Sequence, residues 1–261
     1  MSSFRFEQHG SVGKLTLIGD ASAPDADYPA SLRASVRQAY ESDIRVLHIS
    51  SESGNFAVAD NPAVILTRGS AWLEAFAADV LASYRMIEEM RVPTVASVSG
   101  MALGGGFELL LSCDFLVAAE SSLLLFPEGM VAGLPLAGGI QRLADRVGRA
   151  RATRFVLLSE PIPGKIAGDL GIATHVVADA DLKSTADQLV QRLATGPTLA
   201  YGKMKALLRA WSSGGVGAAD GINAEVASGL ADSEHGKQGA AAAIAALKKG
   251  ELPSFIEFKG K

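Results

Sequence analysis

Three consecutive glycines, Gly104-Gly105-Gly106, stand where an apolar β-type run gives way to an apolar helical one, and this junction constrains the fold more than any other feature. Before it, Val95-Ala96-Ser97-Val98 reads as a buried strand; after it, Phe107-Glu108-Leu109-Leu110 opens a helix. Glycine permits backbone angles and close approaches that a Cβ would block. The amides at the start of the helix have no acceptor within it and carry the positive end of its dipole. A carbonyl oxygen gaining negative charge suits such a place, as in an oxyanion hole. A tight turn that packs helix on strand is the plainer alternative. A phosphate loop is disfavoured, because no Lys-Ser/Thr ending follows the glycines.

Strands alternate with helices along most of the chain. Residues 4–18 read as two short strands joined at Gly10, 30–42 as a helix with Leu32, Val36 and Tyr40 on one face, and 44–50 as a buried strand. The pattern predicts a helix over 72–90, strands at 115–119 and 123–125, helical sequence over 138–158 and a late strand at 175–177. Beyond that it is almost wholly helical, over 181–194, 199–212 and 218–249. Such an order predicts an α/β fold with crossover connections. The natural division is a core over 1–195 and a C-terminal helical region over 196–261.

Charge and composition narrow the function. Lys and Arg number 24 against 28 Asp and Glu, for a net charge of −4, and the basic residues are dispersed, so no nucleic-acid partner is expected. No apolar run reaches the length of a membrane span, and the N-terminus has no signal-peptide pattern. The single cysteine, Cys113, forbids an internal disulfide and fits a reducing cytoplasm; in its apolar run it reads as a buried, inert thiol. No metal is expected, for His, Cys and acidic residues do not cluster. His48 and His175 lie in strands and read as packed or hydrogen-bonded, His9 and His235 as surface residues. Ser97, Ser99 and Ser112 lack the Gly-x-Ser-x-Gly setting of a hydrolase nucleophile. Trp72 and Trp211 read as core or interface anchors, and Lys203, Lys205 and Arg209 as a solvated helical face.

Two carboxylates stand in apolar surroundings: Glu108 in the first turn after the glycines, and Glu128 behind Leu123-Leu124-Leu125-Phe126-Pro127. Desolvation there can tune a carboxyl group for proton transfer. Each also has a plain reading, as a helix N-terminal charge for Glu108 and a surface loop residue for Glu128. Spacing alone does not bring the two together.

The stretch from Arg91-Val92-Pro93-Thr94 through Ser99-Gly100-Met101-Ala102-Leu103-Gly104-Gly105-Gly106-Phe107-Glu108, followed by Cys113-Asp114, resembles the enoyl-CoA hydratase/isomerase (crotonase) superfamily. The resemblance continues through Phe126-Pro127-Glu128 and Gly133-Leu134-Pro135-Leu136-Ala137-Gly138-Gly139-Ile140-Gln141-Arg142-Leu143. It implies a spiral of ββα units with a C-terminal helical region that builds a homotrimer or a dimer of trimers. It also implies an acyl-CoA substrate, with coenzyme A entering as part of that substrate and no separate cofactor. Glu108 and Glu128 would be the catalytic pair that activates water for addition across a 2,3 double bond. Gly105 would donate one oxyanion-hole amide. Ala57, Val58, Leu103, Gly104, Pro127 and Leu136 would line the substrate.

Some positions depart from the family pattern. The first oxyanion loop, Phe56-Ala57-Val58-Ala59-Asp60-Asn61-Pro62, lacks the usual glycine. Its amide donor is Asp60 if the match has no gap and Ala59, the preferred reading, if one residue is deleted. Leu136 replaces a glycine beside the catalytic water, and the acidic 19–29 segment lacks a clear phosphate-binding base. Hydration is therefore expected first. The alternatives are isomerisation, decarboxylation or β-dicarbonyl cleavage in the same fold, or a non-catalytic binding protein.

Overall fold

The structure, a computed structural model, describes residues 3–18, 27–57 and 67–259. The expected oxyanion donors Ala59 and Asp60, the expected substrate-lining residue Val58 and most of the acidic 19–29 segment lie outside the described residues.

The chain opens with a hairpin, β1 (Phe4–His9) and β2 (Val12–Leu17), turning at Gly10 with φ 61°. Helix α1 (Tyr28–Glu41), strand β3 (Val46–Ser51) and helix α2 (Ser70–Glu88) follow. Next come β4 (Thr94–Val98), β5 (Met101–Leu103), helix α3 (Gly105–Leu111), β6 (Phe115–Ala119) and β7 (Leu123–Leu125). Helices α4 (Gly139–Val147) and α5 (Arg149–Leu157), the short β8 (Ile162–Pro163), α6 (Gly164–Ala167) and β9 (His175–Val177) complete the core with helix α7 (Leu182–Ala194). The C-terminal helices are α8 (Thr198–Ala231) and α9 (Glu234–Lys248).

Six strands form one sheet in the order β1-β2-β3-β4-β6-β9, antiparallel only between β1 and β2. A parallel sheet covered on both faces must be largely apolar on both, which explains why β3, β4 and β6 are mostly apolar and why the polar His48 and Ser97 within them pair with each other. Leu47, Ile49, Ala96, Val98, Leu116 and Ala118 join the larger core with Leu32, Val36, Tyr84 and Ile87 of α1 and α2. Their alternate neighbours Val46, Val95 and Val117 pack instead on Ala186, Val190 and Leu193 of α7. The second sheet, β5-β7-β8, is small, and it delivers the ends of β5 and β7 to the glycine turn.

Several expectations require correction. Tyr40 is 48% exposed, and Ala39 takes the third core position of α1, because the buried stripe runs through Leu32, Ser35, Val36 and Ala39. The helical stretch at 138–158 is two helices, divided at Gly148 with φ 78°. The break between the helices expected over 199–212 and 218–249 falls at Gly214 and Gly215, the latter at φ 71°, but 218–249 is not one helix, since a serine cap at Ser233 separates α8 from α9. His235 is buried rather than on the surface: its Nε2 lies 3.2 Å from the Lys259 carbonyl oxygen, and its ring meets Phe258 edge-on. Lys205 is also buried. It pairs with Asp114 at 2.6 Å and donates to the Val92 carbonyl, while Arg209 donates to the Glu88 carbonyl, so this helix face docks on the core. The chain end returns as well, with Arg45 donating to Thr198 Oγ1 and to the carbonyls of Gly196 and Phe258. His175, by contrast, is hydrogen-bonded as expected, to Thr174, though exposed.

Cys113 and His48 are packed as expected. Burial pushes the Cys113 thiol up to about 12, which keeps it protonated and unreactive. Burial lowers His48 to about 4, and its Nε2 lies 2.9 Å from Ser97 Oγ. The unfolded chain protonates His48 near pH 6.5 and the folded chain only near 4. The histidine thus contributes stability above the unfolded value that is lost as pH falls toward the folded one. Lowering the pH from roughly 7.5 to 5.5 should cost about 1.4 kcal/mol through this residue. Urea denaturation at both pH values should show that share of the loss in the wild type and not in His48→Asn.

Candidate active site

The glycine turn is built by close approach. Phe56 donates to the Met101 carbonyl and Leu103 to the Ala57 carbonyl, which lays the start of the first loop along β5. Gly106 then sits directly against Ala57, where an added Cβ would lie 2.5 Å from the Ala57 Cβ and 2.8 Å from its oxygen. Only glycine lets helix α3 start here. Ala57, buried and bonded through both its backbone groups, is held beside the glycine turn.

Gly104 donates to the Leu125 carbonyl at 2.9 Å, and Gly105 occupies the first position of α3, with its carbonyl held by the Tyr84 hydroxyl at 2.8 Å. The Gly105 amide therefore belongs to a helix N-terminus, where it has no acceptor within the helix. Leu103 and Leu136 are half-buried nearby in the fold, Leu103 as the residue before the turn and Leu136 packed against the core.

Glu108 is buried, 1% exposed, and its carboxylate is held by backbone amides. Ala137 N–H lies 2.9 Å from Oε1 and 3.1 Å from Oε2, and Gly139 N–H lies 2.7 Å from Oε1. The two amides converge because Gly138 between them adopts the left-handed conformation, φ 84° and ψ 22°. Gly139 begins helix α4, so the positive end of a second helix also faces this carboxylate. A Cβ on Gly139 would meet both Glu108 Cγ and the Phe126 ring at 2.6 Å.

That contact brings the second carboxylate's segment alongside the first. The Phe107 and Phe126 rings lie 4.7 Å apart, and Pro127 opens a 3-10 turn that carries Glu128. Glu128 is half-buried, with Oε2 sealed from solvent. Its carbonyl accepts from Val131 and Gly133, which folds the loop back so that Gly133 packs on the Glu128 side chain. Glu108, Glu128 and the glycine turn thus come from adjoining elements: α3, the turn after β7, and the β5–α3 junction.

Sequence reasoning named the carboxylates and the glycines but missed their supports. Nothing marked Ala137 as a donor to Glu108, since a backbone amide has no signature in residue type. Tyr84 and Glu88 on α2 also went unnoticed, because they lie far along the chain from the glycine turn. Among the described residues no group of three metal-ligating side chains occurs, and no helix is long and apolar enough to cross a membrane.

The two sheets, the crossover helices and the C-terminal helices together are the crotonase-like fold. The crystal structure of an enoyl-CoA hydratase subunit I from Geobacillus kaustophilus HTA426 superimposes with a TM-score of 0.84 at 27% identity, over 99% of this chain and 98% of that one. Residues 26–246 match the family model for enoyl-CoA hydratase/isomerase, and the chain belongs to that family. A probable enoyl-CoA hydratase of Rhizobium meliloti (strain 1021) is 31% identical over 72% of this chain and 74% of its own length. The enoyl-CoA isomerase/hydratase fer4 of Mycosarcoma maydis is 34% identical over 59% of this chain and 53% of its own. The chain spans about half the length of the first curated relatives it matches, 52% and 51% of two of them.

Proposed function

We propose that the protein adds water across the 2,3 double bond of an acyl-CoA thioester. The observation that carries this reading is the buried Glu108 carboxylate, clasped by the Ala137 and Gly139 amides beside the turn that bears Glu128. The Gly105 amide, with Ala59 or Asp60 supplying a second, polarises the thioester oxygen as negative charge develops on it. Glu108, whose charge-assisted amide bonds suit an ionised acceptor, takes the proton of the attacking water. The water oxygen bonds to the β-carbon, the π electrons move toward the thioester, and Glu128 delivers a proton to the α-carbon. Coenzyme A is part of the substrate, and no separate cofactor takes part. Leu103, Gly104, Pro127 and Leu136, with Ala57 and Val58, line the acyl group, and Leu136 narrows the space beside the water.

The reading extends to a homotrimer or dimer of trimers in the cytoplasm, assembled through the C-terminal helices. Supporting the assembly are exposed apolar side chains on α8 and α9, including Met204, Leu208, Trp211, Ile244 and Leu247. Crotonyl-CoA and longer 2-enoyl-CoAs incubated with the purified chain should lose their conjugated-thioester absorbance. Absence of turnover across chain lengths and aryl substituents would rule out hydration and leave the other crotonase chemistries and the binding-protein reading.

A further inference from the structure

The clasp on Glu108 is itself held from behind. The Ala137 carbonyl accepts from Arg142 Nη1 at 2.8 Å, while the Ala137 N–H serves Glu108. The other two arms of the guanidinium are fixed by one carboxylate: Nε lies 2.7 Å from Glu88 Oε1, and Nη2 lies 2.6 Å from Glu88 Oε2. The guanidinium passes so close to Gly138 that a Cβ there would sit 2.4 Å from Nη1. Three successive peptide units are therefore tied in alternation. The 136–137 and 138–139 units donate to Glu108, and the 137–138 unit between them accepts from Arg142. Rotating the middle unit would swing the Gly139 N–H away from the carboxylate. A bidentate guanidinium with 14% exposure of its side chain is well suited to prevent that rotation.

We propose that Arg142, itself fixed by Glu88 of α2, is a positioning residue for the reaction: it sets the plane of the 137–138 peptide and so the direction of the Glu108 carboxylate. This inference rests on the reading of Glu108 as a catalytic group. A purely structural role would require only that Arg142 tie α4 to α2 through Glu88. The two roles use different guanidinium atoms, so they separate experimentally.

The test is steady-state kinetics on crotonyl-CoA, with melting temperatures, for the wild type, Arg142→Met, Glu88→Gln and the reciprocal pair Glu88→Arg/Arg142→Glu. Arg142→Met should lower kcat about a hundredfold, the scale of a catalytic group displaced by roughly an ångström. KM should stay within about twofold, because substrate contacts are untouched. Glu88→Gln, which keeps a carbonyl acceptor for one arm, should lose less. The reciprocal pair should recover melting temperature but not kcat, since glutamate at position 142 has no N–H for the Ala137 carbonyl. Arg142→Met with wild-type kcat, or a reciprocal pair that recovers kcat along with stability, overturns the inference alone. If Arg142→Met does not fold, the folded reciprocal pair decides: a kcat still about a hundredfold low supports the positioning role, and a wild-type kcat refutes it. A wild type inert on every 2-enoyl-CoA overturns both this inference and the reading beneath it.

Discussion

Glu108→Gln should fold like the wild type and lose about a thousandfold in kcat on a 2-enoyl-CoA, within the range expected for removing a general acid or base. The glutamine carbonyl can replace Oε1 and keep the bonds from Ala137 and Gly139, now 2.9 and 2.7 Å, while its amide nitrogen cannot take a proton from water. Glu128→Gln should fall by a similar factor. The double variant should be little worse than either single one, because two groups serving one proton-transfer sequence do not contribute additively. Kinetics with matched melting curves check all three. A Glu108→Gln chain of near wild-type activity would mean that the clasped carboxylate is only a structural anchor.

Lys205→Met should be among the most destabilising single changes, costing about 3 kcal/mol. The side chain is 9% exposed and its ammonium sits 2.6 Å from Asp114, whose Oδ2 also receives the Thr94 N–H and hydroxyl. Methionine would fill the stem's volume but leave Asp114 and the Val92 carbonyl without their cation. Urea denaturation measures the loss directly. Lys203→Met, two residues earlier and so on another side of the same helix, with no salt bridge among the described residues, should change stability by less than about 0.5 kcal/mol.

These residues also mark how far the sequence could be read. The glycine turn and the strands around it were legible because local rules govern them: apolar runs covered on both faces, and a helix that can begin only where Gly106 meets Ala57. Glu108 and Glu128 became candidates as a pair through the family resemblance rather than through spacing. Long-range partnerships were not legible. Lys205, Arg209 and His235 looked like solvated residues because a charged type predicts exposure, yet each finds its acceptor on a distant element. Tyr40 failed for a different reason. Its spacing from Val36 is helical, but the stripe facing the sheet is narrower and turns toward Ala39. The break at Gly148 depends on a positive φ, which an isolated glycine in a helical pattern only permits. The supports of Glu108 were the least visible, since two of them are backbone amides and their anchor, Arg142, is completed by Glu88 on another helix.

Under the proposed hydration, the oxygen of a water activated by Glu108 ends on the substrate. The most direct test is the mass of the product formed from a 2-enoyl-CoA in heavy-oxygen water. Hydration gives a product heavier by one solvent water, with the heavy oxygen on the β-carbon and a new hydrogen on the α-carbon. A product of unchanged mass with its double bond moved would contradict hydration and assign the same carboxylates to isomerisation.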